Sequence, residues 1–119
     1  MSEHVDLVLE TDVNPGQLEA LRTLMDEMVE ATKANEPGTL NYEWHVSDDG
    51  STCHLYERYV DSDAVMAHLG AFGANYAERF MAALTPTAFT VYGRPNTAVR
   101  EALSAFGPRY LGPFGGFAR

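Results

Sequence analysis

Two residues between Tyr42 and Leu69 have the chemistry of proton transfer and stand among apolar neighbours. They are Glu57, within Leu55-Tyr56-Glu57-Arg58-Tyr59, and His68, within Ala67-His68-Leu69. A carboxylate removed from water has its pKa raised unless it is paired or hydrogen-bonded. Such a group beside a cleft is a candidate general acid or base. Imidazole titrates near neutrality unaided, so His68 suits the same work. Each also has an ordinary reading. Glu57 can simply tie a tyrosine or a helix amide, and His68 can be a boundary histidine with one nitrogen in water. Tyr42, Trp44, Phe72 and Tyr76 would wall a pocket beside them, or merely fill a core.

A second constellation is His45, His54 and Glu43. Two imidazoles and a carboxylate could begin a zinc or copper site. A closed site usually takes four protein ligands, so an interface stack competes, and no metal is assigned. Cys53 is the single cysteine. No disulfide within the chain is possible, which fits a reducing compartment. There is no glycine-rich dinucleotide fingerprint and no phosphate loop. The Gly-Pro-Phe-Gly-Gly of residues 112–116 lacks the strand-before, helix-after context.

The 119 residues carry 17 acidic and 8 basic side chains, a net charge of −9. Phosphate backbones and anionic membrane surfaces would be repelled, so no nucleic acid or membrane partner is expected. No apolar run approaches the roughly 20 residues that span a bilayer. The first residues lack a basic segment followed by an apolar one, so no signal peptide is visible. A cytoplasmic protein of one compact domain is the expectation.

The candidate residues must be positioned by their elements. Alternation from His4 to Val13 predicts a strand with Val5, Leu7 and Leu9 on one face. Asn14-Pro15-Gly16-Gln17 predicts a helix start, with Asn14 as cap, Pro15 at the first helical position and Gln17 completing a capping box. Leu18, Leu21, Met25, Met28 and Thr32 follow at helical spacing, and Glu36-Pro37-Gly38 ends the run. Strands are expected over Thr39 to Ser47 and Thr52 to Val60. A second helix opens at Asp61 or Ser62. It carries Val65, Leu69, Phe72, Tyr76 and Phe80 as a stripe and is kinked or split at Gly70 and Gly73. Pro86 to Arg94 reads as a fourth strand, and Asn96 or Thr97 caps a short helix bearing Val99, Leu103 and Phe106. The order β-α-β-β-α-β is the ferredoxin-like split βαβ arrangement, an α+β fold. Residues 1–94 form that unit. Residues 95–119 form a C-terminal helical extension and tail of the same domain.

Asp49-Gly50 favours a tight hairpin turn. That turn, or a longer loop closing Ser47 on Thr52, sets one register. Leu40 then faces Tyr59, Tyr42 faces Glu57, Trp44 faces Leu55 and Val46 faces Cys53. The opposite side pairs Asn41 with Arg58, Glu43 with Tyr56 and His45 with His54. The first side is apolar apart from Glu57 and should meet the helices. The second is polar and aromatic and should meet another copy of the chain, because a glutamate and an arginine on one face can pair across a two-fold.

Pro37-Gly38, Leu40 to Glu43, Tyr56 to Tyr59, Asp61-Ser62 and Ala67 to Leu69 occur in an order that resembles the antibiotic biosynthesis monooxygenase family. The resemblance covers residues 4 to 93. It implies a ferredoxin-like chain that forms a homodimer, a dimeric α+β barrel. It implies, for some members, oxidation of quinols or polyketide phenols by O2 without an added cofactor. Other members degrade haem, and relatives isomerise small signalling sugars. His68 matches the family's helix histidine. A further family histidine is absent, and Asn75 is the nearest polar residue there. The first-strand asparagine of haem-degrading members is not evident in His4 to Val13.

The expected function is a cofactor-independent monooxygenase acting on a small aromatic or quinol-type substrate. His68 or Glu57 would be the base, Asn75 or Tyr76 an oxygen-side donor, and Tyr42, Trp44 and Phe72 the wall. The ionised substrate supplies the electrons to O2, so neither cofactor nor metal is expected. Two alternatives stay open. One is a haem-binding or haem-degrading relative with His68 as proximal ligand. The other is a non-catalytic dimer that binds an apolar ligand. The segment from Asn96 onward is expected to dock on the barrel rim, the partner or its own subunit, because a helix so short does not hold alone. Tyr110, Leu111, Phe114 and Phe117 would be its anchors.

Overall fold

The computed structural model describes residues 3–119. Its elements run β1 (Val5–Val13), α1 (Leu18–Asn35), β2 (Thr39–Val46), β3 (Thr52–Tyr59), α2 (Ser62–Asn75), α3 (Ala77–Ala83), β4 (Leu84–Tyr92), α4 (Thr97–Leu103) and β5 (Arg109–Leu111). The sheet order is β2-β3-β1-β4-β5. The first four strands are antiparallel neighbours, and β5 adds in parallel to β4. This is the expected α+β, ferredoxin-like plan with one strand more.

The period-two pattern sets the layers. Val5, Leu7 and Thr11 of β1 are buried, as are Cys53, Leu55, Glu57 and Tyr59 of β3. Their alternates Asp6, Val8, Tyr56 and Arg58 lie on the other face and are only partly covered. Tyr56 donates its hydroxyl proton to Asp6 at 2.8 Å, and Arg58 reaches the same carboxylate at 3.3 Å.

The hairpin has the expected register from Asn41 opposite Arg58 to Val46 opposite Cys53. It closes by the longer loop, with the Ser47 amide donating to the Thr52 carbonyl at 2.9 Å. One pair differs. A register shift between Thr39 and Asn41 puts Thr39, not Leu40, opposite Tyr59, and Leu40 is left 47% exposed. An inserted residue of this kind leaves the ladder unpaired and turns its side chain aside.

Other boundaries also moved. Helix α1 starts at Leu18, with Gln17 as N-cap and no side-chain cap. Asn14 does not cap it. Its side-chain Nδ2 donates to the Ala82 carbonyl at 2.9 Å, and its Oδ1 accepts from the Thr85 hydroxyl at 2.6 Å. It ties the end of β1 to the α3–β4 junction instead. The second helix breaks at Tyr76, which ends α2 and caps α3, not at Gly70 or Gly73. Strand β4 starts two residues before Pro86, and Pro86 sits where its register with β1 shifts, a position that tolerates the missing amide proton.

The C-terminal segment packs against the rest of the chain. The Asn96 side chain caps α4 by accepting from the Val99 amide at 3.0 Å. The Asn96 amide donates to Ser62 Oγ at 3.0 Å, which ties this cap to the start of α2. Val99 and Leu103 then join Val5, Leu7, Tyr59, Val65 and Val91 in one core cluster. The short strand β5 is new relative to the sequence reading. Tyr110 lies under the Arg100 guanidinium at 4.1 Å. Phe114 and Phe117 are fully or largely exposed, and Phe117 lies under the Arg119 guanidinium at 5.1 Å.

Candidate active site

Three elements bring the titratable groups together. The Asp61 carboxylate accepts from the Ala64 amide at 2.9 Å and starts α2 so that Val65 and His68 are its buried residues. Gly38 lies against this helix, and a Cβ there would stand 2.7 Å from the Cβ of Ala64. Only glycine lets the turn after α1 come so close. That approach carries Glu36 onto the histidine, with Nδ1 of His68 2.8 Å from Glu36 Oε1. From the sheet, Glu57 places Oε1 3.5 Å from Nε2 of the same ring. The Tyr59 hydroxyl donates to that oxygen of Glu57. The Tyr42 ring meets the imidazole edge-on at 5.1 Å, and Tyr59 lies 5.5 Å away. The result is a row of Glu36, His68, Glu57 and Tyr59, buried except at Glu36, whose side chain is 11% exposed.

Burial holds the Glu57 carboxyl above its ordinary range, and the imidazole and the Tyr59 hydroxyl offset only part of that. Tyr42 and Tyr59 are pushed well above the usual phenol value, first by burial and then by the Glu57 charge. The Tyr42 hydroxyl and the Trp44 indole nitrogen are buried with no hydrogen-bond partner among the described residues.

The raised carboxyl makes stability depend on pH. The folded state holds the Glu57 proton more tightly than the unfolded chain, so its contribution is complete below the ordinary value of 4.5 and is lost as pH rises through the folded pKa. Glu57→Gln cannot ionise and escapes that loss. The variant's thermal midpoint should therefore gain on the wild type's as pH is raised above 4.5. Parallel melts with a constant difference across pH would contradict this.

A cavity of about 70 Å³ lies between sheet and helices, and Tyr42, Glu57 and His68 are the polar side chains on its wall. Leu7, Leu55, Phe72, Phe80 and Phe89 supply apolar surface, and no lysine or arginine lines it. Met81 and Phe106, each about half exposed, also line it.

Of the residues singled out from sequence, Glu57, His68, Tyr42 and Phe72 meet at this cavity. Trp44 stands behind Tyr42, edge-on to that ring at 6.0 Å and to Phe80 at 5.9 Å, and it faces a separate hollow beside Leu18, Met25 and Cys53. Tyr76 packs on the same core but does not line the cavity. Asn75 is exposed and donates to the Ala71 carbonyl at 3.1 Å, so it is not brought to the cavity. The hydroxyl on the cavity wall is instead that of Tyr42. Glu36 and Tyr59 were missed. Tyr59 shares the alternation that marks Glu57, whereas Glu36 has in the sequence only the signal of a helix stop.

His45 and His54 are exposed on the outer face, beside Glu43 at 3.4 Å and Glu10 at 3.7 Å respectively. Among the described residues no group of three histidine, cysteine or acidic side chains is arranged to hold a metal ion. Burial pushes the Cys53 thiol up to about 11, against nucleophilic use. Among the same residues no helix is long and apolar enough to cross a membrane.

The family model described as "Antibiotic biosynthesis monooxygenase" matches residues 5–83. The protein named "Putative monooxygenase Rv0793" from Mycobacterium tuberculosis is 34% identical over 93 residues, covering 76% of this chain and 91% of that one. The solved structure of Rv0793 aligns at a TM-score of 0.65 and 32% identity, over 80% of this chain and 98% of its own. MupZ from Pseudomonas fluorescens aligns at 0.86 and 21% identity over 99% of this chain and 96% of its own, so the shared fold extends through the C-terminal segment. SnoaB from Streptomyces nogalater, described as a cofactor-independent oxygenase, aligns at 0.65 and 18% identity over 81% and 97%. The last two are likenesses of fold.

Proposed function

The chain belongs to the antibiotic biosynthesis monooxygenase family, and from that membership and its buried acid–imidazole pair we propose that it is a cofactor-independent monooxygenase of a small aromatic, quinol-type substrate. The observation that carries the reading is the pairing of Glu57 and His68 at 3.5 Å on the wall of an otherwise apolar cavity. A phenolic or enolic O–H presented there gives its proton to the pair. The resulting anion, held away from water, is a strong electron donor. It reduces O2 by one electron, and the two radicals combine into a C–O bond at the electron-rich ring carbon. The peroxide O–O bond then breaks as the C–H proton leaves. One oxygen stays as a carbonyl and the other departs as water, so the substrate loses two hydrogens, gains one oxygen and supplies the four electrons that O2 takes up.

Tyr42 has a role in this scheme. Its buried hydroxyl donates to no acceptor among the described residues and can donate to the substrate oxygen where negative charge develops. The cavity is well below the range of about 300–1,000 Å³ that encloses drug-sized ligands. A small ring system therefore needs lining side chains to move, and Met81 and Phe106 are the half-exposed ones. Both nitrogens of His68 already face carboxylates, which favours proton transfer over metal ligation.

The test is O2 uptake against a panel of quinols and naphthols, with ¹⁸O2 and chelator controls. One labelled oxygen per product and no dependence on added metal or flavin is the expected result. Tight ligand binding without uptake, or a Soret band on haem titration with turnover of haem, would replace the reading by one of its alternatives.

The same proposal includes a homodimer through the outer sheet face, which bears Asn41, Glu43, His45, His54, Tyr56 and Arg58. Within this single chain that face is only partly covered, and its polar pairs suit a self-complementary contact. Sedimentation at micromolar concentration should give a dimer. A monomer there would remove this part of the proposal.

A further inference from the structure

Glu36 is the first residue past α1, where its amide closes the helix on the Thr32 carbonyl. Its carboxylate does something else. The side chain is 11% exposed, and its oxygen lies 2.8 Å from His68 Nδ1. Its other partner, the Thr39 hydroxyl at 3.4 Å, is distant. A carboxylate so placed is stabilised by a donor, and a ring N–H is the donor present. The approach is built in on both sides, because Gly38 and Ala64 meet where any larger residue would part the turn from α2.

We infer that Glu36 is the positioning residue of the site: it holds His68 as the Nδ1–H tautomer and so leaves Nε2, the nitrogen facing Glu57, as the atom that takes the substrate's proton. This rests on the proposed oxygenase reading for its catalytic consequence, but the tautomer itself does not. The groups around the ring are Glu36, Glu57, Tyr42 and Tyr59. Both tyrosines stay neutral, since burial and the Glu57 charge hold their protons on. When Nε2 gains a proton, the imidazolium lies between two carboxylates, and Glu36 keeps the ring from turning. The proton later leaves from Nε2 to the oxygen that departs as water. A carboxylate that fixes an imidazole tautomer and supports its cation is a general device of proton transfer.

The experiment is a long-range ¹H–¹⁵N correlation of the histidine side chains across pH 5–9, on wild type, Glu36→Leu and His68→Gln, the last to assign the signals. On the high-pH limb the wild type should show His68 protonated at Nδ1. In Glu36→Leu the proton should move to Nε2, where Glu57 is the remaining acceptor, and turnover should fall by roughly 10²–10⁴-fold with little change in KM. A wild-type ring protonated at Nε2, or an unchanged tautomer in Glu36→Leu, overturns the inference. The wild-type spectrum decides even if that variant does not fold. If the tautomer is as stated but no substrate takes up O2, the oxygenase reading fails and the positioning role stands.

Discussion

His68→Gln is expected to lower the rate of O2 uptake by roughly 10²–10⁴-fold, the usual contribution of a positioned general base. The glutamine amide can still donate to Glu36, so the row of side chains and the packing under Tyr42 and Tyr59 persist. What it cannot do is accept a proton near neutrality. Loss of rate with a thermal midpoint within a few degrees of wild type separates chemistry from folding. A variant that keeps more than a tenth of the wild-type rate would show that His68 does not carry the proton. Glu57 alone would then remain as the base, and the pH–rate profile of Glu57→Gln would test it.

Removing residues 95–119 is expected to be the most damaging change to the fold. Val99 and Leu103 are 0% and 1% exposed, and burying each stabilises by about 1.5–3 kcal/mol. Their loss, about 3–6 kcal/mol in all by that measure, is a large part of the roughly 5–15 kcal/mol that holds a domain together. It also strips Val5, Tyr59, Val65 and Val91 of their cover and leaves β4 without its outer neighbour. Calorimetry should show the midpoint lowered by tens of degrees, or no cooperative transition. Ending the chain after Leu111 is the matched control. Phe114 and Phe117 are exposed, so their loss should leave the midpoint nearly unchanged. If removal of residues 95–119 leaves the midpoint unchanged as well, α4 is an ornament and the packing described above is wrong.

The contrast shows where the sequence is readable. Strand alternation and the Asp49-Gly50 turn place Tyr42 opposite Glu57 because a two-residue period admits no partial error. A slip by one residue would have exposed Leu55 and Cys53. Near Thr39 the same logic fails, since an inserted residue costs the pattern nothing locally. His68 was reachable because it sits one residue from a helical stripe. Glu36 was not, because its partner lies 32 positions away and its own neighbourhood, Glu-Pro-Gly, already has a sufficient local explanation. Asn75 shows the converse. Its place on the chain suggested the site, yet it sits on the exposed side of the last turn of α2. Strand β5 has only three residues, and too few positions alternate to be seen among the glycines of the tail.

The middle place of β1 in the sheet bears on how the chain is made. Translation delivers β1 first of the described strands, but Val5 waits for Tyr59 and Asp6 for Tyr92 before both edges are paired. At about 5–20 residues per second, that wait is on the order of 5–15 s. During it, an apolar strand with first two and then one open edge is available to any neighbouring nascent chain. The charges on its alternate positions, Asp6, Glu10 and Asp12, are the kind that discourage such pairing. Those acidic residues thus act before there is a sheet for them to belong to, as wardens of an unfinished strand on the ribosome.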